Sequence, residues 1–231
     1  MNGKITDIET MGSADGPGIR LVVFMAGCKL RCLYCHNPET WTTNGSREIS
    51  AEEILTKYKK YLTYYGETGG VTFSGGEPLL QSEFLLEAIK LLKSEGVHVT
   101  IDTAGVADGY EEILDLVDLV ILDIKAVEAE EYKFITGRDI GEFNRFLADC
   151  VAKNKKLWLR QVIVPGINDD ETHIIKLKEF ASKIPNVERV ELLPYHSMGK
   201  MKYEKMGIEY RLGDTPNMDK EKCKKLEELL K

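Results

Sequence analysis

Short β-branched runs alternate with helical stretches along the chain, and nothing else in the sequence restricts the fold as strongly. Strands are expected at Leu21–Met25, Val71–Ser74, Val97–Thr103, Leu119–Lys125, Leu157–Val164 and Val187–Leu193. Helical patterns fill the gaps. Ser50 and Glu53 form a capping-box signature opening a helix toward Tyr65. Ser82 is expected to cap a helix that runs to Glu95 and stops at Gly96. Further helices fit 109–116, 129–134, 140–153, 171–183 and 220–230. Strands separated by helices imply βαβ units and a mostly parallel sheet. The pattern leaves two architectures open, an open doubly wound sheet and a complete or partial barrel. Both put chemistry at the carboxyl ends of the strands.

The strand ends are unusually polar. In order they read Gly27-Cys28, Ser74-Gly75-Gly76-Glu77, Asp102-Thr103, Asp123-Ile124-Lys125 and Pro194-Tyr195-His196. Period-two alternation puts Arg160 on the face shared by Trp158 and Val162. A purely structural sheet has no need of such ends, so they read as one site assembled from many strands. An arginine turned to the inside would be costly to bury without a partner.

The chain has 231 residues, enough for one good-sized domain, and 43% of them are hydrophobic. No apolar run approaches the roughly 20 residues that span a bilayer, and the N-terminus is too polar for a signal peptide. A soluble, cytoplasmic protein is expected. The net charge of −7 argues against a general nucleic-acid or membrane binder.

Three of the five cysteines, Cys28, Cys32 and Cys35, fall within eight residues, spaced C-x3-C-x2-C. An odd count in a reducing compartment makes a disulfide framework a poor reading. Three idle thiols would be a strange use of such crowding. Structural zinc wants four ligands, with no second cysteine pair here to supply them. His36, adjacent to Cys35, is badly placed to be the fourth. An iron–sulfur cluster fits best. A [4Fe–4S] cluster held by three thiolates keeps one iron open for a ligand.

C-x3-C-x2-C with Tyr34 before the last cysteine resembles the signature of the radical S-adenosylmethionine enzymes. Ser74-Gly75-Gly76-Glu77-Pro78 looks like that family's GGE motif, and the two motifs in this order are specific. Asp15-Gly16-Pro17-Gly18-Ile19-Arg20, the cluster loop GCKLRCLYCHNPETW, IDTAG at 101–105, LDIK at 122–125, WLRQVIVPG at 158–166 and ELLPYHSMGK at 191–200 resemble the activases of glycyl radical enzymes. Residues 36–74 carry no cysteine, which favours the simpler type that serves pyruvate formate-lyase. The resemblance implies a partial (β/α)6 barrel of parallel strands, α/β in class, as a single domain over 1–231 with a C-terminal helix at about 219–231.

The resemblance also implies a reaction. Reductive cleavage of S-adenosylmethionine would yield a 5′-deoxyadenosyl radical that takes a hydrogen atom from a glycine of the partner. Cys28, Cys32 and Cys35 would ligate the [4Fe–4S] cluster. Tyr34, His36, Asn37, Gly76, Glu77, Asp123, Ile124, Lys125, Arg160 and His196 would contact S-adenosylmethionine. Asp102, Thr103 and Asp123 would form a monovalent-cation site, and oxygen ligands suit a hard cation. For the aspartates, turn and N-cap roles are the alternative. Asp15 would meet the incoming peptide, although Asp-Gly-Pro-Gly is also strong turn chemistry. Lys125, Arg160 and Asp15 are the candidate catalytic residues. The partners implied are pyruvate formate-lyase or a related glycyl radical enzyme, with flavodoxin or ferredoxin as electron donor.

Other residues read as ordinary. Cys150 is expected in the core and Cys223 partly exposed. His98 and His173 read as packing or surface residues. Tyr58, Tyr61, Tyr64 and Tyr65 fit the packing face of a helix. Two competing functions remain: an iron–sulfur electron carrier, which would not need the GGE run or the strand-end array, and a radical enzyme acting on a small molecule.

Overall fold

The computed structural model describes residues 1–230. Lys231, the last residue of the expected C-terminal helix, lies outside them. The elements follow the chain as β1 (Asn2–Gly12), β2 (Arg20–Met25), β3 (Arg47–Ser50), α1 (Ala51–Lys60), α2 (Leu62–Tyr65), β4 (Gly70–Gly75), α3 (Ser82–Ser94), β5 (Val99–Thr103) and α4 (Glu111–Leu116). They continue as β6 (Leu119–Asp123), α5 (Ala129–Thr136), α6 (Gly141–Ala152), β7 (Leu157–Ile163), α7 (Glu171–Ser182), β8 (Val187–Pro194), α8 (Lys200–Met206) and α9 (Lys220–Glu228).

One eight-stranded sheet has the order β3-β1-β2-β4-β5-β6-β7-β8. From β2 to β8 every pairing is parallel, and each strand lies beside the next parallel strand in sequence. The order never reverses, so there is no switch point and the sheet winds in one direction. That excludes the doubly wound alternative and gives a partial (β/α)6 barrel. Two antiparallel strands, β1 and β3, extend the β2 edge. No helix among the described residues is long and apolar enough to cross a membrane.

The two faces of the parallel strands differ in kind. Leu21, Val23, Met25, Val71, Phe73, Val99, Ile101, Val120, Leu122, Leu157, Leu159 and Ile163 point outward into one apolar core with the helices. Alternate residues point inward, where Thr72, Ser74, Thr100, Asp102, Asp123, Arg160 and Glu191 replace the branched aliphatics that usually fill a barrel. In the parallel register Asp123 pairs with Arg160, and Arg160 with Glu191, so a row of charges crosses three strands.

Several local expectations need correcting. β1 and β3 bring the strand count to eight rather than six. The expected helix from residue 50 to 65 is capped as foreseen, with both halves of the Ser50–Glu53 box made, but breaks at Tyr61. Ser82 does not cap α3. It already has helical dihedrals, because a short 3-10 turn at Pro78–Gln81 runs directly into the helix. Cys223 is buried rather than partly exposed, since α9 packs on β8. Tyr58 and Tyr65 stack 5.0 Å apart, whereas Tyr64 is exposed. Cys150 is fully buried, as expected.

Candidate functional site

A cavity of about 300 Å³ opens at the carboxyl ends of the parallel strands. Cys28, Cys32 and Cys35 all line it. Their loop, between β2 and β3, is pinned by backbone bonds from its edges: Gly27 N to Thr40 O at 2.7 Å, Arg31 N to Thr136 O at 2.9 Å and Leu33 N to Ile135 O at 2.9 Å. Tyr203 on α8 donates its hydroxyl to Cys35 O at 3.0 Å. Burial pushes the Cys28 thiol up to about 11 and Cys32 to about 12.

The glycine run follows β4. Gly75 has φ +106°, and a Cβ there would lie 2.5 Å from Met25 N. Only glycine allows that approach. Gly76 N and Glu77 N then donate to Met25 O and Gly27 O, tying this turn to the cysteine loop. Gly75 and Gly76 line the cavity.

The Glu77 carboxylate does not. It is fully buried and accepts from Thr103 Oγ1 at 2.6 Å, Ala104 N at 3.0 Å and Leu79 N at 3.2 Å. Held by these donors, it braces the β4 and β5 ends. Burial, partly opposed by these donors, raises its pKa.

Lys125 is buried, ion-paired with Asp123 Oδ2, and lies 5.7 Å from the Tyr34 ring centroid. Burial pulls its pKa down, but Asp123 and the neighbouring acidic groups outweigh that and hold it well above the usual lysine range. Asp102 accepts from Ser74 Oγ at 2.7 Å, and burial lifts its pKa to about 6 against the pull of Arg160. The Thr103 hydroxyl donates to Glu77 and accepts from Gly105 N at 2.9 Å, so it is already committed.

Three more expected residues stand off the cavity wall. Ile124 is buried on the outer side, where its N–H donates to Arg160 O. Arg160 donates Nε to Glu191 Oε2 at 2.7 Å and an Nη2 bond to Ala14 O. Its partner is an acid on the next strand. His196 stacks on His36 with centroids 3.9 Å apart, and its carbonyl lies 2.6 Å from His36 Nε2. His36 and Asn37 do line the cavity. Asn37 Oδ1 accepts from Lys202 of α8 at 2.7 Å. Asp15 lines the cavity too, although it lies far from the strand ends in sequence.

Sequence reasoning missed Glu191, Thr72 and the role of Arg20. Glu191 was accessible in principle, because an inward arginine on one strand calls for an inward acid at the paired position of the next.

The donor set suits a thiolate-bound cluster with a zwitterionic ligand. On the cavity wall, Tyr34 Oη and Asp123 Oδ1 are buried without a hydrogen-bond partner among the described residues. Orphaned buried atoms each cost about 1–3 kcal/mol, so a polar ligand here removes a penalty. The three thiols share one cavity, yet among the described residues no three His, Cys, Asp or Glu side chains are grouped to hold a single ion.

The family profile described as the Radical SAM superfamily matches residues 22–177. The pyruvate formate-lyase-activating enzyme of Clostridium pasteurianum is 53% identical over 231 residues, covering 99% of this chain and 97% of that protein. The pyruvate formate-lyase 1-activating enzyme of Escherichia coli (strain K12) is 40% identical, covering 99% and 95%. Among solved structures, a domain of the pyruvate-formate lyase-activating enzyme of Bacteroides vulgatus superposes with TM-score 0.57 at 24% identity, over 70% of this chain and 92% of that one. That likeness carries the fold alone.

Proposed function

The chain belongs to the radical SAM superfamily, and on that premise we propose that it activates pyruvate formate-lyase by removing a hydrogen atom from one of that enzyme's glycines. The observation that carries the reading is the meeting of three cysteine thiols with the polar strand-end array in one cavity. Near-full-length similarity to activating enzymes supports the choice of partner. When bound, the [4Fe–4S] cluster and S-adenosylmethionine supply the electron transfer that breaks a sulfonium C–S bond and the carbon radical that abstracts the hydrogen.

The chain's own residues bind, orient and shield. Cys28, Cys32 and Cys35 would take one iron each, losing their protons on loading, as thiolate ligation requires. The backbone at Gly76 would lie against the methionine amino group, with Glu77 acting from behind as the brace of that turn. Lys125 offers an ammonium for a carboxylate, and Tyr34 offers a hydroxyl beside it. His36, backed by His196, and Asn37 would border the adenosine. Asp102 and the free Oδ1 of Asp123 are the oxygens available to a monovalent cation; the Thr103 hydroxyl is engaged elsewhere. Arg160, held by Glu191, fixes the inner wall. Asp15 would accept N–H bonds from the incoming glycine segment.

We also read the chain as one radical SAM domain acting in the cytoplasm, with flavodoxin or ferredoxin as electron donor. The continuous sheet and core support the single domain.

The test is anaerobic. The reconstituted protein is mixed with S-adenosylmethionine, a reductant and pyruvate formate-lyase, and EPR and 5′-deoxyadenosine are recorded. A glycyl-radical doublet with matching deoxyadenosine is expected. Deoxyadenosine without the doublet would reject this partner, and neither signal from an intact cluster would favour an electron carrier.

A further inference from the structure

Arg20 is fully buried, and its partners are neutral groups. Nε donates to Thr72 Oγ1 at 2.6 Å, Nη1 to Pro17 O at 3.0 Å, and Nη2 to Val71 O at 2.8 Å and His98 O at 3.2 Å. Nη2 also faces His98 Nδ1 at 3.2 Å. Burial lowers its pKa only to about 10, so it keeps its charge near neutrality. A charge buried against dipoles alone is expensive. A lysine could not replace it, because a point charge lacks the planar fork that reaches three chain segments at once.

The geometry sets a direction. Arginine only donates, so Thr72 Oγ1 must accept from it. The hydroxyl proton of Thr72 is then free to go to Asp15 O, at 2.6 Å. The carbonyls of residues 15 and 17 are thus held on both sides of Gly16, which has φ +129° and whose Cβ would lie 3.0 Å from Arg20 Nε. Arg160 holds the carbonyl of Ala14. Two carbonyls of this turn, those of Ala14 and Pro17, accept from guanidinium groups, and the third, that of Asp15, accepts from the Thr72 hydroxyl that Arg20 orients. The hydrogen bond at residue 15 goes to its carbonyl, and Asp15 lines the cavity.

We propose that Arg20 and Thr72 are positioning residues that aim the Asp15 carboxylate at the backbone N–H groups of the glycine-bearing segment, and so set how tightly the protein substrate engages. This rests on the peptide-binding role given to Asp15 above. Neither residue touches the reacting atoms. Their effect belongs in binding of the partner segment rather than in the chemical step.

The experiment compares Thr72→Val, Thr72→Ser and Arg20→Lys with the parent holoenzyme. Three quantities are read: KM and kcat for glycyl-radical formation on pyruvate formate-lyase, Kd for a labelled peptide copying its glycine loop, and the thermal midpoint. Thr72→Val is expected to raise KM and Kd about tenfold, the scale of one lost hydrogen bond, with kcat within about twofold. Thr72→Ser, which keeps the hydroxyl, should restore both. Arg20→Lys should raise KM at least as much, and its thermal midpoint shows whether it folds. Parent-like KM and Kd in Thr72→Val, or a loss confined to kcat, would overturn the positioning role. A parent enzyme that yields deoxyadenosine but no glycyl radical would overturn the functional reading, and the positioning role with it.

Discussion

The two faces of the same parallel strands obey different rules. Outward, Val71, Phe73, Val99, Ile101 and Leu122 are buried among helices and held by apolar area alone. Inward, one residue along in each strand, Thr72, Ser74, Asp102 and Asp123 make directed hydrogen bonds or wait for partners. A strand's period of two lets one segment serve both purposes. The outer face supplies stability, and the inner face spends some of it on polar groups that a merely stable barrel would not bury.

The most severe way to probe the inner face is to empty it. Cys32→Ala should abolish cluster assembly and deoxyadenosine formation, read by iron content and product assay, with an unfolding midpoint close to that of the unloaded parent. A variant that keeps its iron and activity would refute the cluster assignment. Next comes a matched pair. Leu122→Ala, outward, should cost about 2–5 kcal/mol in urea unfolding, with the folded fraction still active. Ser74→Ala, inward, should cost about 1 kcal/mol but lower coupled activity about tenfold, because Asp102 loses its donor. Equal stability losses for the two would erase the distinction between the faces.

A smaller effect tests the buried polar groups by pH. Burial and the Arg20 charge lower the His98 pKa below 6.5. Its unfolded form therefore takes up a proton first. The contribution to stability is complete above about pH 6.5 and is lost as pH falls from there toward the folded value. Protonation would set a second cation against the Arg20 guanidinium. His98→Gln should flatten this part of the stability–pH curve, read from urea midpoints at pH 7.5 and 5.5. The smallest effect belongs to neither face. Lys90 and Glu112 form an exposed pair at 3.2 Å, and Lys90→Ala should leave the unfolding midpoint unchanged within error.

What could be read in the sequence follows the same division. The six parallel strands were legible because they are short apolar runs rich in β-branched residues with polar ends. β1 was not: its eleven residues include Asn, Gly, Lys, Asp and Glu, its less exposed face is Gly3, Ile5, Thr6, Ile8, Thr10 and Gly12 with only two large apolar side chains, and the alternation slips at Ile5–Thr6. β3 is four residues long, too short for a pattern. The cysteine loop, Gly76, Asp102, Asp123 and Lys125 were legible as strand-end chemistry, and they do meet in one cavity. Glu77 shows the limit of reading by position. Its place at a strand end could be read, but its side chain is held by three donors, two of them backbone amides that no spacing reveals. Arg20 was visible only as the end of a turn motif, since apart from the Pro17 carbonyl its partners lie on β4 and next to β5, far away in sequence.

The sheet never closes, and β8 is its last strand among the described residues. An edge of this kind carries free backbone groups to which a strand from another chain readily adds. Here Glu188, Arg189 and Glu191 place charge along it, Pro194 ends it without an N–H to offer, and Glu227 of α9 accepts from Leu192 N at 3.1 Å. Charge, a proline and a cap from α9 thus stand where another strand would have to pair, so an unclosed sheet does not present a bare template at this edge.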